Sequence, residues 1–217
     1  MARKTRVKIC GITRLQDAQL AQDLGVDSLG FVFVPASARY LTPEAAAAIT
    51  QHLSPFVTCV GLFLNAQASN VHQVLRLMPS MMPQFHGQET AQFCDQFGRP
   101  YLKAVGVRGG MPTSKELGTF KRAAGFLFDS NEPGQLGGTG HAFDWTQLDS
   151  KMERPLILAG GLDVHNVGCA IEQVAPHAVD VSSGVEQSKG VKDAQAMTMF
   201  MDAVRRADAT HELARND

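Results

Sequence analysis

Three observations predict an α/β protein built as a single closed (β/α)8 barrel. About eight short apolar runs recur along the chain, segments with apolar residues at three- and four-residue steps separate them, and glycine-rich turns gather late in the sequence. Such alternation implies βαβ crossovers and a parallel sheet, and barrels of eight units commonly occupy 200 residues or more as one domain, which suits a chain of 217. An open doubly wound sheet is the alternative. Against it, no GxGxxG follows the first strand.

The strands fall on RVKICGI, SLGFVFV, FVTCVGLFLN, MPQFHG, YLKAVGVR, GFLFDS, PLILAGG and AVDVSSG. The first helix, RLQDAQLAQDLG, closes at Gly25, and the second, TPEAAAAITQHL, opens with Thr42 as N-cap and Pro43 in its first turn. Pro79 and Pro83 crowd the fourth strand and should shorten it by removing a ladder donor. The polar, glycine-flanked stretch 111–120 makes the fifth helix short or irregular, while HNVGCAIEQVA and DAQAMTMFMDAVRRA supply the later ones. The barrel takes residues 1–207, and 208–217 is expected to fray as a charged tail.

Composition narrows the function. An apolar fraction of 44% allows a sizeable core, yet no run approaches the roughly 18 apolar residues of a membrane span. The basic start MARKTR leads into no cleavage-site pattern, so the chain is expected in the cytoplasm and away from membranes. Lysine plus arginine (20) nearly balance aspartate plus glutamate (21), which gives no reason to expect a nucleic-acid partner. Cysteines at 10, 59, 94 and 169 form no CxxC pair, and neither HExxH nor a calcium loop occurs, so no metal is expected. Monomer and homodimer both stay open.

Strand parity sorts the polar residues. Val7 and Ile9 share one face of the first strand, and Lys8 and Cys10 the other; in the last strand Val179 and Val181 oppose Asp180 and Ser182. Closure sets these strands side by side. Since an unpaired buried charge is costly, Lys8 and Asp180 are expected within ion-pair or water-bridged reach, although lysine can also snorkel at a strand end.

Glycine-rich turns follow the last three strands: Gly137, Gly138, Thr139 and Gly140; Gly160 and Gly161; and Ser183 and Gly184 after Ser182. Backbone N–H groups converging there would suit a phosphate, so a phosphorylated metabolite is the expected small-molecule partner. Cys10 and Asp129 end the first and sixth strands, at the face where barrels of this kind place their chemistry. A thiol and a carboxyl can act as base and acid; equally, Cys10 reads as inert core and Asp129 as an Asx-turn cap. Arg39, in the loop after the second strand, can grip a carboxylate bidentately or stay solvated. Gln84 and His86 end the fourth strand as candidates for polar recognition or for local hydrogen bonding.

The ordered motifs KICGIT (8 to 13), GFVF (30 to 33) with Arg39 and Tyr40, VGLF (60 to 63) with Asn65, QFHG (84 to 87), KAVGV (103 to 107), the run ending in Asp129, GGTG (137 to 140) with FDW (143 to 145), AGGL (159 to 162) and VDVSSGVE (179 to 186) resemble the phosphoribosylanthranilate isomerase family of tryptophan biosynthesis, which is a TIM barrel. The resemblance covers nearly the whole chain. It implies an Amadori rearrangement without a cofactor: Asp129 as general acid on the furanose oxygen, Cys10 as general base at C2, Arg39 on the anthranilate carboxylate, and the late glycine turns with Ser182 and Ser183 on the phosphate. Lys8, sharing a face with Cys10, is the first candidate to lower its pKa. Two departures stand out: a methionine-rich entry into QFHG, which weakens recognition roles for Gln84 and His86, and Lys189 where the family commonly has proline. Against a rival synthase or histidine-pathway isomerase barrel stand the paired KICGIT and GGTG with FDW, and a synthase would need a lysine acid at a strand end that the sequence does not place. A silent phosphate-binding module would have no use for Cys10 and Asp129.

Overall fold

A computed structural model describes residues 4–107, 110–130, 145, 148 and 152–213. Its strands β1 (Arg6–Cys10), β2 (Ser28–Val32), β3 (Thr58–Phe63), β4 (Met82–Phe85), β5 (Tyr101–Gly106), β6 (Ala123–Asp129), β7 (Leu156–Leu158) and β8 (Ala178–Val181) pair in sequence order. β1 and β8 close the ring in parallel, with Lys8 opposite Asp180 and Ile9 opposite Val181. The described helices are α1 (Leu15–Asp23), α2 (Pro43–Thr50), α3 (Ala68–Leu77), α4 (Ala91–Asp95), α5 (Ser114–Leu117), α6 (Val167–Val174) and α7 (Ala194–Leu213). A small antiparallel hairpin, β9 (Glu186–Ser188) and β10 (Val191–Lys192), follows β8.

Local chemistry sets the element ends. Thr42 accepts a hydrogen bond from the Ala45 N–H with Pro43 in the first turn, and Gly25 follows α1 at φ 84°. β4 does contain Pro83, and its register with β5 starts one residue later, at Gln84, as the missing proline donor requires. α5 is one turn long, held by a capping box between Thr113 and Glu116. The last helix corrects the expected boundary at residue 207. It continues to Leu213, and Asp208 accepts hydrogen bonds from the Thr5 N–H and hydroxyl at 3.0 and 2.6 Å. No helix among the described residues is long and apolar enough to cross a membrane.

Alternation along the strands divides the core. Val7, Ile9, Leu29, Phe31, Phe63, Phe85, Phe128 and Val179 pack in the main cluster with residues of the helices. Phe33, Phe63, Phe85, Phe97 and Tyr101 form linked ring contacts with centroids 5.4 to 6.2 Å apart. The opposite parity fills the barrel with two smaller groups: Ala104, Leu127, Ile157, Ala159 and Ala178 on one side, and Cys10, Val32, Val34 and Leu62 on the other. Among these lie buried Lys8, Gln84, His86, Asp129 and Asp180, so the polar groups are held by a strand scaffold and not by loops.

Candidate active site

The C-terminal strand ends surround a cleft of about 680 Å³ that includes space open to solvent. Cys10, Arg39, His86, Asp129, Gly160, Gly161, Asp180, Ser182 and Ser183 all line it. Val32, Leu62 and Leu64 make one wall apolar. Lys8 and Gln84 are buried and do not line the cleft. Gly184 lies outside the lining and bridges to Asp163, which ties the last two turns together. Gly138, Thr139 and Gly140 lie outside the described residues.

Cys10 owes its surroundings to closure. Lys8 Nζ stands 2.9 Å from Asp180 Oδ1, and its charge acts on the Cys10 thiol as well. Burial works to lower the Lys8 pKa; the Asp180 carboxylate and Cys10 outweigh it and hold the ammonium above its usual range. Burial pushes the Asp180 carboxyl up against the pull of Lys8, and the short contact keeps the pair ionised. The same balance corrects the expectation for Cys10. Burial pushes the thiol up, and the opposing pulls of Lys8 and Lys192 do not fully offset it. Space for the thiol comes from β2, because a Cβ on Gly30 would meet Cys10 Sγ at 2.7 Å, the Cys10 Cα at 3.0 Å and Lys8 Nζ at 3.1 Å.

Across the cleft, Asp129 Oδ2 is 3.6 Å from His86 Nε2. Burial, aided by Lys8, holds His86 neutral by pushing its pKa down to about 4. Gln84 Nε2 lies 3.0 Å from His86 Nδ1, and with the amide assigned as donor there the ring hydrogen falls on Nε2, toward Asp129. Protonating Asp129 therefore breaks no ion pair with this ring. Behind it, Gly160 at φ 84° lets the turn after β7 approach Ser130 so closely that a side chain would strike the Ser130 N–H.

The His86 shift has a consequence for stability. The unfolded chain takes up this proton near pH 6.5 and the folded chain only near 4, so the contribution is complete above 6.5 and lost as pH falls between the two. The loss should reach about 3 kcal/mol. Urea unfolding at pH 7, 5.5 and 4.5 should show a shallower decline for His86→Gln than for the parent. Parallel declines would contradict it.

Arg39 reaches the cleft already paired. Its Nε and Nη2 donate to the two carboxylate oxygens of Glu186, each at 2.8 Å, and Lys192 Nζ donates to the same Glu186 at 2.8 Å. Glu186 and Lys192 escaped the sequence reading. Glu186 stood inside the quoted VDVSSGVE, but nothing in its spacing named Arg39, 147 positions away, as its partner.

A family model described as N-(5′-phosphoribosyl)anthranilate (PRA) isomerase matches residues 7–203. The chain is 48% identical over 202 residues, 93% of its length and 98% of the relative's, to an N-(5′-phosphoribosyl)anthranilate isomerase of Pseudomonas putida KT2440. Among solved structures it resembles a phosphoribosyl anthranilate isomerase in complex with reduced 1-(o-carboxyphenylamino)-1-deoxyribulose 5-phosphate, with TM-score 0.79, 36% identity, and coverage of 93% of this chain and 99% of that one. It also resembles monomers generated from the dimeric enzyme of Thermotoga maritima, with TM-score 0.79, 35% identity and coverage of 93% and 99%.

Proposed function

The chain belongs to the N-(5′-phosphoribosyl)anthranilate isomerase family, and from that premise we propose how the cleft performs the reaction. The protein is an isomerase of tryptophan biosynthesis that converts N-(5′-phosphoribosyl)anthranilate to 1-(2-carboxyphenylamino)-1-deoxyribulose 5-phosphate. Asp129 protonates the furanose ring oxygen as the C1–O bond breaks, and the anilino nitrogen lone pair forms the iminium. Cys10 reacts from its thiolate form, which Lys8 and Lys192 favour against burial, and removes the C2 proton; the C–H electrons flow through C1 to nitrogen, giving the enolamine. Gain of a proton at C1 and loss of the O2 proton yield the ketone. The iminium is the electron sink, so this route uses no cofactor.

The carrying observation is the placement of Cys10 and Asp129 at the ends of β1 and β6 in one cleft, with an apolar wall at one side and glycine and serine turns at the other. The wall of Val32, Leu62 and Leu64 suits the aryl ring. Gly160, Gly161, Ser182 and Ser183, with Gly184 behind them, suit the phosphate. A guanidinium has two forks. Glu186 occupies the Nε/Nη2 fork of Arg39, and the Nη1/Nη2 fork, whose Nη1 has no hydrogen bond among the described residues, suits the anthranilate carboxylate. The one buried lysine of β5, Lys103, is taken by the Phe85 and Gly87 carbonyls and Glu89, so it supplies no synthase-type acid to the cleft. On the precedent of the dimeric Thermotoga maritima relative, the chain acts as a monomer or homodimer.

Freshly prepared phosphoribosylanthranilate should lose its anthranilate-type fluorescence on mixing with the protein. A trace no faster than the spontaneous decay would refute the assignment.

A further inference from the structure

Lys192 is 3% exposed, yet no step of the reaction requires it. Its Nζ donates to the Cys10 carbonyl at 2.6 Å, the Ser182 carbonyl at 3.1 Å and Glu186 Oε1 at 2.8 Å, which uses all three donors of an ammonium. Through Glu186 it reaches Arg39, so one buried cation links the main chain of the proposed base to the guanidinium proposed for the carboxylate. Its backbone is fixed by other means. The Lys192 N–H donates to Asp17 Oδ2 at 3.1 Å, its carbonyl accepts from Arg14 Nη2 at 3.3 Å, and the Thr13 hydroxyl donates to the Gly190 carbonyl. The hairpin is therefore seated on the start of α1 without help from the Lys192 side chain.

We propose that Lys192 is a positioning residue for the isomerisation: through Glu186 it decides which fork of Arg39 faces the cleft, and through the Cys10 carbonyl it fixes the strand end that carries the base. The proposal rests on the roles given above to Cys10 and Arg39. Burying a lone ammonium is costly, and here three oxygens that belong to the two sides of the closing seam compensate for it. With Glu186 released from Lys192, its carboxylate can swing and take Arg39 with it. Charge adds to geometry at Cys10. Lys8 from its own strand, Asp180 from β8, Lys192 from the hairpin and Arg39 from the loop after β2 all act on the thiol, and Lys192 is one of those that pull it down.

The test compares Lys192→Met, which keeps the stem, with Glu186→Gln, using kcat and KM across pH. Lys192→Met should raise KM roughly tenfold or more and move the acid limb of kcat/KM about one pH unit upward, because the thiol loses a nearby cation. Glu186→Gln should raise KM without moving the limb upward, since it removes an anion and leaves the Lys8 and Lys192 cations beside Cys10. A Lys192→Met enzyme that loses turnover with KM and limb both unchanged would overturn the proposal, as that is the signature of a purely structural lysine. Should Lys192→Met fail to fold, Glu186→Gln decides alone, and an unchanged KM overturns it. A Cys10→Ala control keeps the two levels apart: normal turnover there rejects the role of Cys10, while the KM comparison still judges Lys192.

Discussion

Cys10→Ala and Asp129→Asn should each lower kcat by roughly 10²–10⁴-fold while substrate binding and the fold persist. Alanine removes one sulfur atom from a site that is 6% exposed and leaves the Lys8–Asp180 pair in place, so nothing else in the cleft has to move. Asparagine matches aspartate in shape and cannot deliver a proton to the ring oxygen. In both variants the apolar wall, Arg39 and the glycine and serine turns are untouched. Steady-state fluorescence assays give kcat and KM, and circular dichroism checks the fold. Near-normal turnover in either variant would reject the role assigned to that residue.

Lys8→Met should destabilise the protein by about 3–5 kcal/mol, the usual consequence of leaving one member of a buried ion pair behind. Asp180 is 9% exposed, and without Lys8 its carboxylate loses the hydrogen bond that compensates for burial. Methionine nearly fills the lysine stem, which keeps the packing contribution small. The double variant Lys8→Met/Asp180→Leu should recover part of the loss, because no orphan charge remains. Urea midpoints of the parent, the single and the double variant report this. A single variant within 1 kcal/mol of the parent would show that the pair is not needed for stability.

Much of the barrel was legible because its signals are local. Apolar runs, helical spacing and the Thr42 and Pro43 start need only neighbouring residues, and the parity of Lys8 and Cys10 against Val7 and Ile9 follows from the period of a strand. Closure then turned parity into a contact, with Lys8 and Asp180 opposite each other across 172 positions. What escaped depends on tertiary balance. The β9–β10 hairpin has strands of three and two residues, too short for any periodic signal, and it carries both Glu186 and Lys192. The direction of the Cys10 shift escaped for a different reason. The sequence names the cation beside the thiol, but how much burial opposes that cation is a property of the whole mouth.

Gly30 brings a constraint of another kind. It donates no proton and binds no substrate, yet the volume a side chain would occupy there already belongs to the Cys10 sulfur and the Lys8 ammonium. Read only as loss of activity, substitution at position 30 would mimic substitution of Cys10 itself. Vacancy at this point of β2 and the thiol are thus one constraint: a side chain at position 30 has to displace the proposed base, which makes an atom that is absent as binding on the cleft as the atoms that line it.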